Sequence, residues 1–591
     1  MAKDDDPSDP QVATNPTTTA QSRATQISAH IAPFPPATVN TRRRRRSKAS
    51  KDDPPADHSD ILNQLHQLRT IAKTPNPHHP GYSRQKASGK LWVRERVTRL
   101  FDAGSFREVG SASGDVTWRS LSATKEEPVD FVPSNNVQGY GRLRGRKVLF
   151  TADDFTLRAG HADGAIGAKT VYMEKLALAL KLPMVKLVDG SSGGGSVSSI
   201  RAMGYSYIPP LESFEYVMKQ LNQGIPNLGA VLGPAIGLGA ARVVSCHFSV
   251  MAADVGALFN AGPKVVAGAT FEEGLTFRDL GGPMMHCTNG TIDNLARDEE
   301  ECFEQIRTVL GYLPDSGEKL PPTVDGEDDE DRLSPELRAA IPRKRERMFE
   351  PRKIITTVVD KGSFFEIGRL WGTTVIVGLA RLAGRPVGIV ANNPETNAGA
   401  LDAAGSQKLT RHLKFLDIFN IPLLQFVDVP GYAVGTVAER TATMRWGVEL
   451  AKTYYATTMP IFSVILRRVY GVAGGVMLDC RDPRLRVAWP SGEWGSLPLD
   501  GGIEAGHAAE LKKIEKEKGE QARKDRYKEL DDEYRRLMSP IRTANAFGVE
   551  EIIDPARTRP LVCEWLKHTY DNLLPIRVQQ RIAGKLQPVF S

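Results

Sequence analysis

Short runs of aliphatic and β-branched residues alternate with longer segments of helical periodicity along most of the chain. Residues 185–189 (VKLVD) and 424–428 (LQFVD) are predicted to be buried strands, and a turn follows each of them. The periodicity predicts a helix before each strand, over 169–182 and 408–420. Such alternation is typical of an α/β fold in which helices cover a largely parallel sheet.

Several phrases occur twice in the same order, which indicates an internal repeat. The pairs are GSFREVG (104–110) with GSFFEIG (362–368), RLRGRKV (142–148) with RLAGRPV (381–387), PMVKLVD (183–189) with PLLQFVD (422–428), and GLGAARVVSC (237–246) with GVAGGVMLDC (471–480). The second and third pairs are each 239 residues apart, and the fourth pair is 234 apart. The sequence therefore predicts a duplicated unit of about 240 residues, which is within the size range of one domain.

Composition divides the chain further. Residues 1–60 are rich in Pro, Thr, Ser and Asp, so a disordered N-terminal tail is predicted there. The first domain is predicted over 61–325 and the second over 349–591. Between them, 326–348 changes from acidic to basic and is predicted to be a charged linker.

Four segments need separate interpretation. Residues 220–241 carry no charge, but glycines, prolines and polar residues interrupt them, so we predict a strand, a turn and a helix start and no membrane span. Residues 508–538 are strongly charged and are predicted to form an exposed helix. Further helices are predicted near 61–72 and 91–102.

The formal net charge is +7, and Arg42–Arg46 is a run of five arginines. Such a run can bind nucleic acid, but a solvated tail is the simpler interpretation. The five cysteines are scattered, which favours buried thiols in a reducing compartment and no metal site. Because the N-terminus is acidic and lacks an apolar stretch, we expect an intracellular protein, in the cytoplasm rather than the mitochondrial matrix.

Two segments rich in small residues could hold negative charge. Ser191–Ser196 (SSGGGS) follows the first predicted strand, and Arg468–Gly475 (RVYGVAGG) precedes an apolar helix predicted to begin near Val476. Glycines let backbone N–H groups approach a ligand, and N–H groups at a helix start stabilise an oxyanion. A phosphate-binding loop is a competing interpretation, but neither GxxxxGK[ST] nor a GxGxxG opening a helix is present here. Two such turns suggest a reaction in which two carbonyl groups become enolate-like together.

From about residue 85 to about 585 the sequence resembles the carboxyltransferase (β) subunits of biotin-dependent acyl-CoA carboxylases, of the propionyl-CoA and methylcrotonyl-CoA carboxylase type. The resemblance depends on the repeated GSF phrases and on ADDFTLRAG, SSGGGS, FNIPLLQFVDVPGY, RRVYGVAGGVM, VAWPSGEWG and SPIRTANAFGVEEIIDP, which occur in the family's order. It implies two tandem crotonase-like domains of the ClpP/crotonase superfamily, produced by duplication. It also implies transfer of a carboxyl group from carboxybiotin to the α or vinylogous γ carbon of an acyl-CoA, through an enolate held by two backbone oxyanion holes.

The resemblance assigns roles to individual positions. The amides of Gly193 and Gly194 would hold the thioester oxygen, and those of Val472 and Ala473 would face biotin. Coenzyme A would lie near Ala159 and Gly160, and its phosphates would meet Arg158 or Lys169. The acyl and biotin pocket would comprise Gly195, Tyr470, Gly471, Gly474 and Gly475.

Partners follow from the same resemblance. No biotin-attachment segment and no ATP-grasp-like region is apparent, so biotin would arrive on a biotin carboxylase or carrier subunit. A homo-hexamer, built as a trimer of dimers, is implied, with each active site between two subunits. Two positions depart from the family pattern. Ser196 stands where GGAR has its arginine, and Gly475 stands where propionyl-type enzymes carry aspartate.

Propionyl-CoA is the favoured substrate type, with methylcrotonyl-CoA or acetyl-CoA as alternatives. A carboxyltransferase of a decarboxylase complex would share the same loops. A crotonase-type hydratase or isomerase would need paired carboxylates, and Glu212 with Glu215 is the candidate pair, although both are better explained as helix-surface residues. A nucleic-acid-binding protein that uses Arg42–Arg46 is the non-enzymatic alternative, distinguished by salt-sensitive DNA binding that is lost on removing residues 1–60.

Overall fold

A computed structural model describes residues 55–123, 125–161, 164–191, 197–208, 211–344 and 347–586. Residues 1–54 of the predicted disordered tail, which include Arg42–Arg46, lie outside these residues. The last part of the predicted tail is described, and Ser59 begins a helix there. The chain divides between Asn63 and Gln64 into two units, and the fold described below is that of the second.

The first half of this unit is built on one mixed sheet, which within the described residues has the strand order β1-β4-β5-β6-β7-β8-β10, with β9 beside β7. Strands β5 to β8 are parallel, and β4 pairs with β5 in antiparallel orientation. The strands are β1 (Arg107–Glu108), β2 (Gly114–Ser122), β3 (Lys125–Pro133), β4 (Asn136–Leu143), β5 (Arg146–Asp153), β6 (Met184–Gly190), β7 (Asn227–Ile236), β8 (Phe248–Ala252), β9 (Ala257–Phe259) and β10 (Asn294–Ala296).

The second half repeats this sheet strand for strand. Its order over the described residues is β11-β12-β13-β14-β15-β16-β18, with β17 beside β15. The strands are β11 (Phe365–Ile367), β12 (Val375–Leu382), β13 (Arg385–Asn392), β14 (Leu423–Val429), β15 (Ile461–Tyr470), β16 (Arg486–Ala488), β17 (Glu493–Gly495) and β18 (Glu551–Ile552). Equal strand order in both sheets confirms the predicted α/β duplication.

Helices connect the parallel strands and cover the sheets. They are α1 (Ser59–Lys73), α2 (Pro80–Ala87), α3 (Val93–Leu100), α4 (Gly167–Leu180), α5 (Val197–Met203), α6 (Glu212–Asn222), α7 (Leu238–Val244), α8 (Pro263–Thr270), α9 (Phe277–Gly281), α10 (Pro283–Thr288), α11 (Glu299–Tyr312), α12 (Pro351–Val358), α13 (Ala403–Ile418), α14 (Thr436–Arg440), α15 (Thr443–Ala456), α16 (Gly471–Leu478), α17 (Leu499–Gly506), α18 (Ala508–Leu537), α19 (Pro540–Asn545), α20 (Thr558–His568) and α21 (Leu574–Ile582). Helix α4 packs on α6 in the first half, and α13 packs on α15 in the second.

The repeated phrase GSF-xE-xG forms the same structure twice. Its first and last glycines have positive φ in both halves, 67° and 71° at Gly104 and Gly110, and 72° and 64° at Gly362 and Gly368. Positive φ favours glycine, which explains why these positions agree. The first half places 19 more residues between this phrase and the RLRGRKV phrase than the second does. The two-stranded sheet β2–β3 accounts for the difference.

The hairpins that carry the second repeated phrase are closed by one side chain in each half. Asp102 accepts hydrogen bonds from the backbone N–H groups of Arg144 and Gly145, at 2.9 and 2.8 Å. Asp360 accepts from Ala383 and Gly384 at the same two distances. A carboxylate that binds two turn amides fixes the hairpin, so the duplication extends to side-chain contacts.

The predicted helices are present, with boundaries shifted by up to five residues. Helix α18 breaks at Gly519, whose φ is 85°, and is largely exposed as predicted. Residues 220–241 contain the end of α6, all of β7 and the start of α7. The apolar helix predicted to begin near Val476 instead begins at Gly471, because Val472–Gly475 are already part of the helix. Among the described residues, no helix is both long and apolar enough to cross a membrane.

The two halves share one core. A single apolar cluster contains Phe150 and Leu187 of the first sheet together with Val377 and Val427 of the second. Helix α11 contributes to this junction, since it packs on β7 and β8 and also on β12. Burial of this cluster stabilises both halves together, at about 25 cal/mol for each Å² of apolar surface removed from water.

Candidate functional site

A buried aspartate ends the same parallel strand in each half. Asp189 in β6 accepts hydrogen bonds from Lys90 Nζ at 2.7 and 2.9 Å, from Arg96 Nη1 at 2.9 Å and from Gln85 Nε2 at 3.1 Å. Arg96 also binds Glu299 at 2.6 Å, so two cations and two carboxylates balance. Burial lowers the pKa of Lys90, and the charge of Asp189 opposes that shift.

Asp428 is the counterpart in β14. It accepts from Arg467 Nη2 at 2.9 Å and from Arg468 Nε at 2.8 Å. Burial would raise the pKa of this carboxyl group, but the hydrogen bonds and charges of Arg468 and Arg467 hold it below its usual value. The carboxylate is therefore ionised and fixed in place.

The strand beside each aspartate feeds directly into a short helix. A glycine with positive φ marks the junction in both halves, 55° at Gly237 before α7 and 60° at Gly471 in α16. The first amides of a helix have no partner within the helix, and they carry the positive end of its dipole. Each half thus presents N–H groups at the carboxyl edge of its sheet.

The two helix starts differ in what their amides bind. In the first half, the N–H of Gly239 donates to the carbonyl of Ser191 at 2.7 Å. In the second half, the amides of Val472 and Ala473 have no backbone acceptor within the described residues. Val472 is 68% exposed, whereas Ala473 is fully buried. The start of α16 is therefore accessible to a ligand at Val472.

The residues around this helix start are small or buried. Tyr470 is 1% exposed, and a Cβ at Gly474 would lie 2.7 Å from Val469 Cγ1. A Cβ at Gly475 would meet nothing within 4 Å, and one at Gly471 would lie 3.4 Å from the carbonyl of Ser496. Gly475 therefore borders open space, while Gly474 permits close packing of the helix on β15.

The predicted coenzyme A segment forms an unusual turn. Arg158 and Ala159 have φ of 50° and 51°, and Asn397 and Ala398 repeat this with 47° and 50°. Arg158 is exposed and Gly160 is buried. A Cβ at Gly160 would lie 2.8 Å from the carbonyl of Asp189, so this turn packs closely against the end of β6.

Lys169 lies in the interior. Its amine donates to Ser134 Oγ at 2.9 Å and to the carbonyl of Asn136 at 2.6 Å, and the residue is 9% exposed. Lys408 repeats this position and donates to the carbonyl of Val375 at 2.9 Å. Burial lowers the pKa of each amine to about 8. The contact between Lys169 and a coenzyme A phosphate stays a prediction, and these protein acceptors argue against it.

Other predicted positions fall as follows. Gly193, Gly194, Gly195 and Ser196 lie outside the described residues, between Ser191 and the start of α5. Glu212 and Glu215 pair on the surface with Lys175 and Lys219, at 2.6 and 2.5 Å, as expected for helix-surface residues.

Sequence reasoning missed the start of α7 as a candidate. Leu238 and Gly239 occupy the position in the first half that Val472 and Ala473 occupy in the second, and Gly239 contacts the residue next to SGGGS. The sequence did contain a signal for this position. Aligning GLGAARVVSC with its repeat GVAGGVMLDC places Leu238 and Gly239 opposite Val472 and Ala473.

Comparison with known proteins assigns the family. Residues 84–582 match the carboxyl transferase domain family. The chain is 32% identical over 482 residues to a propionyl-CoA carboxylase carboxyltransferase subunit from Haloferax mediterranei, covering 80% of this chain and 89% of that one. It is also 32% identical to methylmalonyl-CoA decarboxylase subunit alpha from Veillonella parvula, covering 81% and 90%.

A solved structure of similar fold is the transcarboxylase 12S hexamer, determined with methylmalonyl-coenzyme A and methylmalonic acid bound. The match has a TM-score of 0.75 at 26% identity and covers 88% of this chain and 97% of that one. The fold is therefore that of two tandem crotonase-like domains. The chain belongs to the carboxyl transferase domain family and is a carboxyltransferase enzyme of the acyl-CoA carboxylase β-subunit type.

Proposed function

We propose that this enzyme transfers a carboxyl group from carboxybiotin, carried by a partner protein, to the α or vinylogous γ carbon of an acyl-CoA. A substrate of the propionyl-CoA type is favoured. The open amides at the start of α16 are the observation that carries the proposal. Val472 and Ala473 offer N–H groups that meet no backbone acceptor in the described part of the chain, at a helix N-terminus where a developing oxyanion is stabilised.

Carboxybiotin supplies the carboxyl group and, once that group has left, a nitrogen that takes the α proton of the thioester. The chain's own contribution is electrostatic. The amides of Val472 and Ala473 would hold the biotin ureido oxygen. Those of Gly193 and Gly194, which lie outside the described residues, would hold the thioester oxygen. Each donor stabilises the charge that forms during transfer, typically by about 3 to 4 kcal/mol. No side-chain base is needed on this chain.

Coenzyme A binding is assigned to the turn Arg158–Gly160. Arg158 is exposed, and its guanidinium suits a phosphate geometrically. The close approach of Gly160 to Asp189 and Gly190 places this turn beside the end of β6. Phosphate binding by Lys169 is left out of this proposal because its amine is occupied by Ser134 and Asn136.

In the predicted acyl and biotin pocket, Gly475 borders open space and contributes no side chain, whereas Tyr470 and Gly474 are buried. Gly471 and Gly195 complete the predicted pocket. The missing side chain at Gly475 leaves room for acyl groups larger than acetyl.

Assembly with other chains is part of the proposal. The biotin-bearing partner would be a biotin carboxylase or carrier subunit, and the enzyme itself would be a hexamer made of three dimers. Large apolar side chains are exposed in the segment that follows β14, at Val434, Val437 and Met444. A second copy that covers this surface would bring a first-half loop to face a second-half helix start. The similar transcarboxylase 12S is itself described as a hexamer assembly, which supports this arrangement.

Transfer in the opposite direction is the second candidate. The relative from Veillonella parvula is named as a subunit of methylmalonyl-CoA decarboxylase, and it is as similar to this chain as the carboxylase subunit is. In that case the enzyme would move a carboxyl group from an acyl-CoA to biotin on its partner.

One experiment tests both candidates. Carboxylated biotin carrier is supplied with acetyl-, propionyl-, butyryl- or methylcrotonyl-CoA, and the carboxylated thioester is measured. Unloaded carrier with methylmalonyl-CoA measures the reverse direction. Propionyl-CoA is expected to give the highest kcat/KM. Absence of product in both directions, with hydration of crotonyl-CoA instead, would refute the proposal.

A further inference from the structure

The strand that leads to α16 contains an irregularity opposite Asp428. Val427 pairs with Ile465, but Val429 pairs with Val469, so β15 has two more residues than β14 over this interval. A bulge of this kind bends a strand and re-aims the residues after it. Here it ends two residues before Gly471, and its direction therefore sets where the amides of α16 point.

Arg468 lies in this bulge and binds two residues through three acceptor atoms. Its Nε donates to Asp428 Oδ1 at 2.8 Å, and its Nη2 donates to Asp428 Oδ2 at 2.9 Å. The same Nη2 donates to the carbonyl of Ala398 at 2.8 Å, and the backbone N–H of Arg468 donates to Asp428 Oδ1 at 2.9 Å. One side chain thus joins the end of β14, the positive-φ turn after β13 and the bulge of β15.

The first half shows the same bulge without this contact. Val188 pairs with Val231 and Gly190 with Ala235. Gly233 lies in that bulge, where a Cβ would be only 2.0 Å from Asp189 Oδ1. The cations that hold Asp189 come from residues 90 and 96, far from β7 in sequence. In the second half, by contrast, the strand itself supplies the arginine that fixes its bulge.

We propose that Arg468 is a positioning residue, which fixes the bulge of β15 so that the amides of Val472 and Ala473 lie where the reaction needs them. The inference rests on the proposed function, because it assigns a purpose to those amides. A planar guanidinium reaches both oxygens of Asp428 and the carbonyl of Ala398 together, whereas an ammonium group cannot span this arrangement. Lysine at this position would keep the positive charge but would lose the simultaneous hydrogen bonds to Asp428 and Ala398.

The test compares Arg468→Met and Arg468→Lys with a matched control, Arg486→Met. Arg486 is buried to the same degree, with 17% of its side chain exposed against 16% for Arg468. It also binds one carboxylate and one carbonyl, Glu550 Oε2 at 2.6 Å and Gly548 at 3.1 Å, on the neighbouring strand β16. It touches neither Asp428 nor the turn at Ala398. For each variant, kcat, both KM values, acyl-CoA binding and the Tm are measured.

Misplacement by about 1 Å costs about 100-fold in rate, so Arg468→Met is expected to lower kcat by about that factor. Arg468→Lys is expected to lower kcat by about tenfold and to fold normally, which keeps the test valid if the methionine variant does not fold. Acyl-CoA affinity should stay within twofold, because the proposed coenzyme A contacts, at Arg158–Gly160, are in the first half. Arg486→Met should lower the Tm by a similar amount to Arg468→Met and keep kcat.

Three results would overturn the inference: kcat within threefold of wild type in Arg468→Lys, equal losses of kcat in Arg468→Met and Arg486→Met, or a parallel loss of acyl-CoA binding. Failure of the proposed function is distinguished by the wild-type enzyme. If wild type transfers no carboxyl group in either direction, the proposed function fails. If wild type is active and the Arg468 variants match it, the positioning role alone fails.

Discussion

Deleting one N–H group at the start of α16 should separate catalysis from stability. Val472 is the second residue of this helix, where proline is tolerated because the lost N–H has no partner in the helix. Val472→Pro therefore removes a proposed oxyanion donor at small structural cost. The side chain is 68% exposed, so little apolar contact is lost. A lost donor costs about 3 to 4 kcal/mol of barrier, which predicts a fall in kcat of about 100- to 1000-fold.

Val472→Ala is the matched control, because it trims the same side chain and keeps the amide. Carboxyl transfer from carboxylated carrier is measured at saturating acyl-CoA for wild type and both variants, together with thermal unfolding. The alanine variant should keep kcat within about threefold, and all three proteins should unfold within a few degrees of one another. Equal kcat in the proline and alanine variants would refute the assignment of this amide.

Three other measurements test packing, charge and the N-terminal tail. Gly233→Ala should lower the free energy of unfolding by about 1 to 3 kcal/mol or more, because the added Cβ would lie 2.0 Å from Asp189 Oδ1. Gly501→Ala is the control, because a Cβ there meets open space, and it should leave stability unchanged or raise it. Urea denaturation measures both variants. Burial lowers the pKa of Lys408 from 10.5 to about 8, so the folded protein binds fewer protons than the unfolded chain between those pH values. The free energy of unfolding should therefore rise between pH 8 and pH 10.5, and Lys408 should contribute up to about 3 kcal/mol of that rise. The Lys408→Met variant should lack this contribution. If the free energy of unfolding changes equally with pH in both proteins, the lowered pKa of Lys408 is contradicted. Removing residues 1–54 should leave kcat unchanged, because the family match begins at residue 84, and a large loss of activity would show that the tail contributes.

The regular elements were largely predictable from the sequence. Hydrophobic runs at a constant spacing located β6 and β14 to within one residue at each end, since a fully buried strand must be apolar throughout. The helices before them were also found, with boundaries shifted by two to five residues. The internal repeat was the most informative feature of the sequence, because a phrase that occurs twice at equivalent positions indicates that both copies adopt the same backbone structure.

The details that shape the site were less predictable. Small residues at Gly471–Gly475 suggested a turn, but Val472–Gly475 belong to a helix that packs on β15, and composition alone cannot distinguish these outcomes. Burial of Lys169 also escaped prediction, because its acceptors, Ser134 and a backbone carbonyl, are far away in sequence. Bulges depend on pairing register between strands, which a single sequence does not reveal.

The charge network around Asp189 constrains the order in which the polypeptide can mature on the ribosome. Gln85, Lys90 and Arg96 are synthesised about 100 residues before Asp189, and Glu299 emerges about 100 residues after it. Arg96 therefore lacks its second carboxylate until α11 begins to appear. In contrast, the partners of Asp428 follow it within 40 residues. The later half of the nascent chain can thus neutralise its buried charges promptly, whereas the earlier half must wait for its final helix.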